Sequence, residues 1–253
     1  MSVEPYSALA SGYDLVMDHV DYDAWAAYVH VLLQQYADAP GRVVELGGGT
    51  GSLAVRLQPM GDYDYVLTDG SAAMLTRARK KISATDVPIR CARAEFTEVT
   101  RSQLPLENPA DAVVLVYDGL NYLLTPAAVA TLFRHVHDLL RPGGVAVVDQ
   151  STPANSVERE DDFEDEAAVE GFAYVRENQY DPETRRHKTT FELTVDGTSV
   201  TERHVQRAYT LAEMRDVLEA SPLVVEAAYD DVTTAPAHDE SPRIHWVLRR
   251  PLD

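Results

Sequence analysis

Apolar positions along the first 150 residues follow two alternating periods. Over residues 22–37, Trp25, Tyr28, Val29, Leu32, Leu33 and Tyr36 recur at three- and four-residue spacings, which predicts an amphipathic helix ended by Pro40-Gly41. Residues 42–46 form a short apolar run of strand type. Helical spacing resumes over 51–59, and 63–68 reads as a second strand. Residues 71–81 predict a helix, 89–92 and 112–116 two further strands, and 126–140 a helix closed by Arg141-Pro142-Gly143-Gly144. A fifth strand is expected over 145–149. Short apolar strands separated by helices are the pattern of a parallel sheet covered on both faces.

From about residue 172 the period falls to two. Three alternating runs between 172 and 209, broken by Asp181-Pro182 and Asp196-Gly197, read as antiparallel strands added to the sheet domain. Thr210 with Glu213 forms a capping box for a helix through residue 220, and 224–229 and 244–249 give two last strands. The expected fold is α/β: a Rossmann-like, doubly wound, mostly parallel seven-stranded sheet with a small antiparallel β insert. Residues 1–40 would form an N-terminal helical cap, 41–150 the core, 151–209 an acidic segment with the insert, and 210–253 the C-terminal helix and the last two strands.

Composition narrows the partners. The chain has 253 residues, 45% hydrophobic and 25% charged, which is ordinary globular usage. Its 22 basic and 41 acidic side chains leave a net charge of −19, so a nucleic-acid partner, which must be met by a basic patch, is not expected. One cysteine, Cys91, reads as buried and inert and cannot form an internal disulfide. The start of the sequence lacks the pattern of a secretory signal, and no apolar run is long enough to span a membrane, so a cytoplasmic location is expected. The acidic stretch 158–170 reads as a solvated or mobile segment, or alternatively as a lid whose field draws in a cationic substrate. His135 and His137 face different ways on a helix, and His238, Asp239 and Glu240 lack ligand spacing, so no metal is expected.

The strongest local signal is the run from Val43 to Gly51, VVELGGGTG, where an apolar strand enters a glycine loop and then a helix. Glycine suits such a loop because a Cβ would keep the backbone from a ligand. The dinucleotide spacing G-x-G-x-x-G fails, since Ser52 stands where its third glycine belongs. Glu45 would also oppose a pyrophosphate. It suits a ligand carrying an ammonium and a sulfonium.

This run resembles the first motif, E/D-x-G-x-G-x-G, of the class I S-adenosylmethionine-dependent methyltransferases. Residues 67–75, LTDGSAAML, are similar to that family's second motif, and Asp69 lies 20 residues beyond Gly49, where a carboxylate can take both ribose hydroxyls. Glu95-Phe96 stands where the third motif usually has Asp and an apolar residue. Residues 111–123 and the Arg141 to Gly144 turn resemble the fourth motif and the approach to the next strand. A narrower resemblance, to small-molecule methyltransferases acting on amines and sugars, rests on Tyr6-x-x-x-Ala10-x-x-Tyr13-Asp14, on Asp118-x-x-Asn121-Tyr122-Leu123, and on residues 202–210 of the insert.

The resemblance makes residues 41–150 the S-adenosylmethionine-binding core, with S-adenosylhomocysteine as product. It implies cofactor contacts from Tyr13, Glu45, Leu46, Gly47, Gly49 and Gly51, then from Asp69, Gly70, Met74, Glu95, Phe96 and Tyr117. Acceptor contacts fall to Asn121, Tyr122 and Arg207. A sulfonium methyl is already activated, so direct displacement needs alignment and an acceptor for one proton. Asp118, just after the fourth strand, is the first candidate for that proton, followed by His204 and Tyr209. Each has a plainer reading: Asp118 as a loop cap, His204 as a structural histidine, and Tyr13 and Trp25 as core aromatics. The expected function is methyl transfer to a small molecule, with an amine as one candidate, by a monomer or homodimer. The alternatives are a cofactor-binding protein without catalysis and, opposed by Ser52 and Glu45, a nicotinamide-dependent oxidoreductase. A nucleic-acid base methyltransferase is disfavoured because the segment after the fourth strand lacks N/D-P-P-Y/F.

Overall fold

A computed structural model describes residues 2–158 and 164–252. The chain opens with a two-residue strand, β1 (Ser2–Val3), a short helix α1 (Tyr13–Val16), and α2 (Tyr22–Tyr36). Five strands and three helices follow: β2 (Arg42–Glu45), α3 (Ala54–Gly61), β3 (Asp64–Asp69), α4 (Ala72–Thr85), β4 (Ile89–Arg93), β5 (Ala110–Leu115), α5 (Pro126–Leu139) and β6 (Leu140–Ser151). After α6 (Pro153–Glu158) come β7 (Glu164–Val169), β8 (Phe172–Asp181), β9 (Arg186–Val195) and β10 (Thr198–Arg207). The chain then forms α7 (Leu211–Glu219), β11 (Val224–Asp230) and β12 (Arg243–Arg249).

Seven strands form one sheet in the order β11-β12-β6-β5-β2-β3-β4. Pairs from β6 to β4 are parallel, and β12 and β11 close one edge in antiparallel register, as expected of the last two strands. Each face is covered. Helices α5 and α7 pack on one side around Phe133, Met214 and Trp246, and α2, α3 and α4 pack on the other around Leu32, Leu57 and Tyr65. Val29, Leu32 and Leu33 lose all exposure, which stabilises the docking of α2 by roughly 1.5–3 kcal/mol each. Local signals fix the helix starts: Ser71 accepts from Met74 N–H, Thr125 from Ala128 N–H ahead of Pro126, and Thr210 with Glu213 closes a capping box. The Arg141 to Gly144 segment continues β6, so that strand starts five residues earlier than the sequence pattern predicts. Cys91 is half-buried on the edge strand β4 instead of fully buried.

The insert is a sheet of its own, not an addition to the first. Its order is β1-β10-β9-β8-β7, with β1 parallel to β10. Alternation in β8 and β9 puts Phe172, Tyr174, Phe191 and Leu193 on one face, and that face is covered by Leu9, Val16 and Met17. Residues 164–169 of the acidic stretch form a strand paired with β8, and Arg176 on β8 takes both oxygens of Asp165 (2.6 and 2.9 Å). Residues 159–163 of that stretch lie outside the described residues. No helix among the described residues is long and apolar enough to cross a membrane.

The segment between β1 and α2 is a strap pinned at several points. Fully buried Glu202 accepts the N–H groups of Tyr6 (2.8 Å), Ala8 (2.5 Å) and Leu9 (2.9 Å). Ser71 donates to the Tyr6 carbonyl (3.0 Å), and Lys81 pairs with Asp14 (2.9 Å). At Gly12 the strap lies flat on Phe172, where a Cβ would stand 2.1 Å from Cε1 of that buried ring. Gly12→Ala should therefore lift the strap while leaving the seven-stranded core folded. Limited proteolysis should cut ahead of Tyr22 faster than in the wild type, with little change in melting temperature; equal cleavage rates would show that the contact is not needed.

Candidate functional site

A cavity of about 760 Å³ lies under the strap at the carboxyl ends of the parallel strands, the position where open α/β sheets take ligands. Its floor is the loop after β2. Gly47 and Gly49 have φ of +65° and +56°, and a Cβ on Gly47 would stand 2.8 Å from Phe96 Cζ. A side chain there would fill the cavity from below. Asp69, at the end of β3, spans the floor: Gly49 N–H donates to one oxygen (2.9 Å) and Ser71 N–H to the other (2.7 Å). Burial raises its pKa and Glu95 pushes it the same way, while the two amides pull it down. Gly70 leaves room for Glu95, whose carboxylate oxygen would stand 2.5 Å from a Cβ at that position. Six of the expected cofactor contacts, Tyr13, Glu45, Met74, Glu95, Phe96 and Tyr117, line the cavity.

Two expected cofactor contacts lie behind the loop. Leu46 is buried in the core on the α5 side, and Gly51, φ +80°, packs against Leu67 and Ala78, where it lets α4 approach the loop. Neither lines the cavity.

Glu45 is nearly without exposure, and its carboxylate receives the Tyr65 hydroxyl (3.1 Å). Burial raises its pKa to about 7, against the pull of the Tyr65 hydrogen bond and with a push from Asp69. Trp25 is on the cavity wall as well as in the core. It joins Tyr6, Tyr13, Tyr22, Tyr117 and Tyr122 in an aromatic lining that also carries Glu4, Glu45, Asp69 and Glu95. Among the described residues Arg93 is the one basic side chain on this lining, and its Nε is turned to the Gly70 carbonyl (2.8 Å). No group of three or more His, Cys, Asp or Glu that could hold a metal occurs among the described residues.

The loop after β5 carries strain. Tyr117 and Asp118 are consecutive non-glycine residues at φ +68° and +64°, a conformation that costs of order 1–3 kcal/mol per residue. Buried Asp149 offsets this by accepting the N–H groups of both, that of Asp118 at 3.1 Å. Arg243 bridges the Asp149 and Asp118 carboxylates, the latter at 2.7 Å, and its guanidinium lies over the rings of Trp25 (5.2 Å) and Tyr117 (5.3 Å). Asp118 is thus committed to an ion pair and does not line the cavity, which removes it from the proton-accepting position.

Three other expectations change in the same way. Tyr209 has no exposure, sits in the core, and donates its hydroxyl to the Leu123 carbonyl. Asn121 is a buried staple: its Nδ2 donates to the Ser151 (2.8 Å) and Arg207 (2.7 Å) carbonyls and its Oδ1 accepts Ser151 N–H (2.9 Å). Arg207 pairs with Glu213 (2.9 Å) and covers the Tyr209 ring (4.8 Å). All three join the ends of β6 and β10 to α7 and the core. Tyr122 lines the cavity as expected, and its hydroxyl lies 2.5 Å from that of Tyr6 and 2.9 Å from His204 Nδ1. His204 stands one shell behind the wall. Tyr6 belongs to the N-terminal pattern that carried Tyr13, and Glu202 opens the 202–210 stretch that carried part of the resemblance, whereas Arg243 gave no sequence signal, because its partners lie far away in the chain.

The raised pKa of Glu45 has a stability consequence. The fold disfavours its ionised form, so the penalty is absent below the unfolded value near 4.5, grows as pH rises, and is complete above about 7. Glu45→Gln should stabilise the ligand-free protein above pH 7 by up to about 3 kcal/mol and change little at pH 4.5. Chemical denaturation of both proteins across this range measures it; parallel curves would mean Glu45 ionises freely.

Residues 43–144 match the model of a family described as a methyltransferase domain. A protein of Geobacillus sp. (strain WCH70) described as a methyltransferase is 30% identical over 259 residues, covering 97% of this chain and 99% of its own length. YqeM of Bacillus subtilis (strain 168), also described as a methyltransferase, is 33% identical over 144 residues, and the match spans 57% of this chain and about half, 54%, of that protein. Among solved structures, an S-adenosylmethionine-dependent methyltransferase from Clostridium acetobutylicum ATCC 824 superposes with a TM-score of 0.80 at 20% identity, covering 97% of this chain and 99% of that one. The amino pentose methyltransferase CalS10 of Micromonospora echinaspora, solved with S-adenosylmethionine bound, gives 0.69 at 19% identity, with 94% and 96% covered. With a near full-length relative, the matched domain, and a cavity built at the motif residues, this chain belongs to the class I S-adenosylmethionine-dependent methyltransferases.

Proposed function

We propose that this methyltransferase transfers its methyl group to a small molecule bearing an amine. The observation that carries the reading is the cavity lining: among the described residues it has seven aromatic rings and four carboxylates, with Arg93 as the one basic side chain. Aromatic faces and carboxylates attract a cationic group and give an anionic one no partner. CalS10, whose described acceptor is an amino pentose, has the same fold and supports the reading by analogy.

The residues present fit the cofactor. Without a Cβ, Gly47 and Gly49 leave the space above the loop to a ligand. Asp69 keeps lone pairs beyond the two used by backbone amides, enough for a ribose diol. Glu45, only about half ionised at pH 7 without a partner, becomes the counter-charge for an ammonium. When bound, S-adenosylmethionine supplies a methyl on a sulfonium that is already activated for displacement. The chain's own residues then orient the nucleophile, exclude water with the strap and aromatic walls, and accept a proton. An amine attacks in its neutral form, and because Asp118 is held by Arg243, proton removal falls to Tyr6, Tyr122 and the histidine behind them.

Calorimetry with S-adenosylmethionine and S-adenosylhomocysteine, with NADH and NADPH as controls, is the first test, followed by mass spectrometry of a panel of primary and secondary amines. A mass gain of one methyl on an amine is the expected result. Cofactor binding with no amine methylated would favour a binding protein or another acceptor atom. Asp69→Ala should weaken cofactor binding by about 1–3 kcal/mol, roughly 5- to 150-fold, with the fold retained; unchanged affinity would refute its role. Wild-type affinity should rise with pH through about 7 as Glu45 ionises, and Glu45→Gln should bind more weakly at pH 8 with that rise removed.

A further inference from the structure

Behind the cavity wall four polar side chains run in single file. The Tyr6 hydroxyl, on the strap, meets the Tyr122 hydroxyl at 2.5 Å; Tyr122 meets His204 Nδ1 at 2.9 Å; and His204 Nε2 faces Glu202 Oε2 at 3.4 Å. Tyr6 and Tyr122 line the cavity, while His204 and Glu202 are buried. We propose that this row takes up the proton that the acceptor nitrogen loses on methylation. The inference rests on the amine reading above.

Each member suits its place. Burial raises the pKa of both tyrosines, so their hydroxyls stay protonated and pass a proton along by exchanging the one they hold. Asp69 and Asp118 act on Tyr6, and Asp118 and Glu202 on Tyr122, all in the same direction. Burial alone would raise Glu202 too, but His204 and the amides of Leu9, Ala8 and Tyr6 outweigh it and hold the carboxylate ionised. His204 Nε2 is buried without a hydrogen-bond partner. From β9 the histidine meets the edge of Phe191 (5.4 Å), from the strap the Tyr6 ring (4.7 Å), and from its own strand Glu202, so Glu202 is the charge that faces it directly.

The step balances. The nitrogen lone pair forms the N–C bond as the C–S bond breaks, and that pair stays on sulfur. The ammonium proton passes to the Tyr6 oxygen while the Tyr6 proton moves to Tyr122 and the Tyr122 proton to His204 Nδ1. The positive charge lost at sulfur reappears on an imidazolium opposite an existing carboxylate, so no new unpaired charge is buried. His204 and Glu202 act through the tyrosines and are positioning residues.

Tyr122→Phe cuts the row while keeping the ring, and His204→Gln removes its sink. With the amine that the panel identifies, wild-type kcat should rise with pH through the His204 midpoint measured by NMR of its ring, in protein saturated with S-adenosylhomocysteine. Each single variant should lose about 100-fold in kcat with cofactor affinity retained, the double variant should be no slower than either single, and His204→Gln should lose the inflection. Wild-type kcat in the singles, losses that multiply in the double variant, or an inflection that survives in His204→Gln would overturn the path. The NMR arm needs no acceptor: a His204 midpoint shifted by Tyr122→Phe supports the connection, and an unmoved midpoint overturns it. Failure of every amine in the panel would instead count against the amine reading.

Discussion

A carboxylate without access to water has to be given its hydrogen bonds by the chain, and Glu202 takes them from the strap. That requirement joins three parts of the molecule. It fixes the residues ahead of α1 over the cavity, it ties them to a sheet that shares no strand with the core, and it holds a negative charge beside His204. The apolar face of the small sheet makes the same demand in hydrophobic terms, since Phe172 and Phe191 are covered by strap residues. Polar and apolar constraints thus agree on one position for the roof, and this agreement gives the cavity walls on every side.

The floor has its own keystone. Two residues in a left-handed conformation persist after β5 because Asp149 collects their amides and Arg243 compensates the buried charge. An arginine is suited to this position: its planar fork reaches two carboxylates while its face lies against Trp25 and Tyr117. The backbone strain has a visible product, since it turns the Tyr117 ring into the cavity and leaves Asp118 facing the arginine.

The core was legible in the sequence because it is written in local periods. Short apolar strands, glycines where a Cβ would collide, and capping residues ahead of α4, α5 and α7 all act within a few positions. The cavity lining at the ends of β2, β3 and β4 was legible for the same reason: Glu45 and Asp69 end parallel strands, Gly47 and Glu95 come just after them, and all four line the cavity. The acceptor side was not. Asn121, Arg207 and Tyr209 belong to a suggestive stretch of sequence, yet their partners are backbone groups and acids brought in by folding, and these consume their polar atoms. Asp118 sits at the expected position, but its direction is set by an arginine 125 residues away. The acidic stretch misled because charge suggested solvation, while its alternation with Arg176 across the pair makes it a strand.

Among the described residues, none of β7 to β10 appears on the cavity lining, so the small sheet reaches the site through the strap it holds in place and through Tyr122, which meets His204. The strap it holds is fastened at several points: three amides converge on one carboxylate, and the Tyr6 carbonyl is held by Ser71 at the start of α4. Such an attachment does not fray residue by residue from the chain end, because releasing one amide leaves a buried charge short of partners and raises the cost of keeping the rest. Opening is therefore a concerted event. The residence time of a molecule beneath the strap is set by how often the whole clasp lets go, and it can be long even for a ligand whose own contacts are weak.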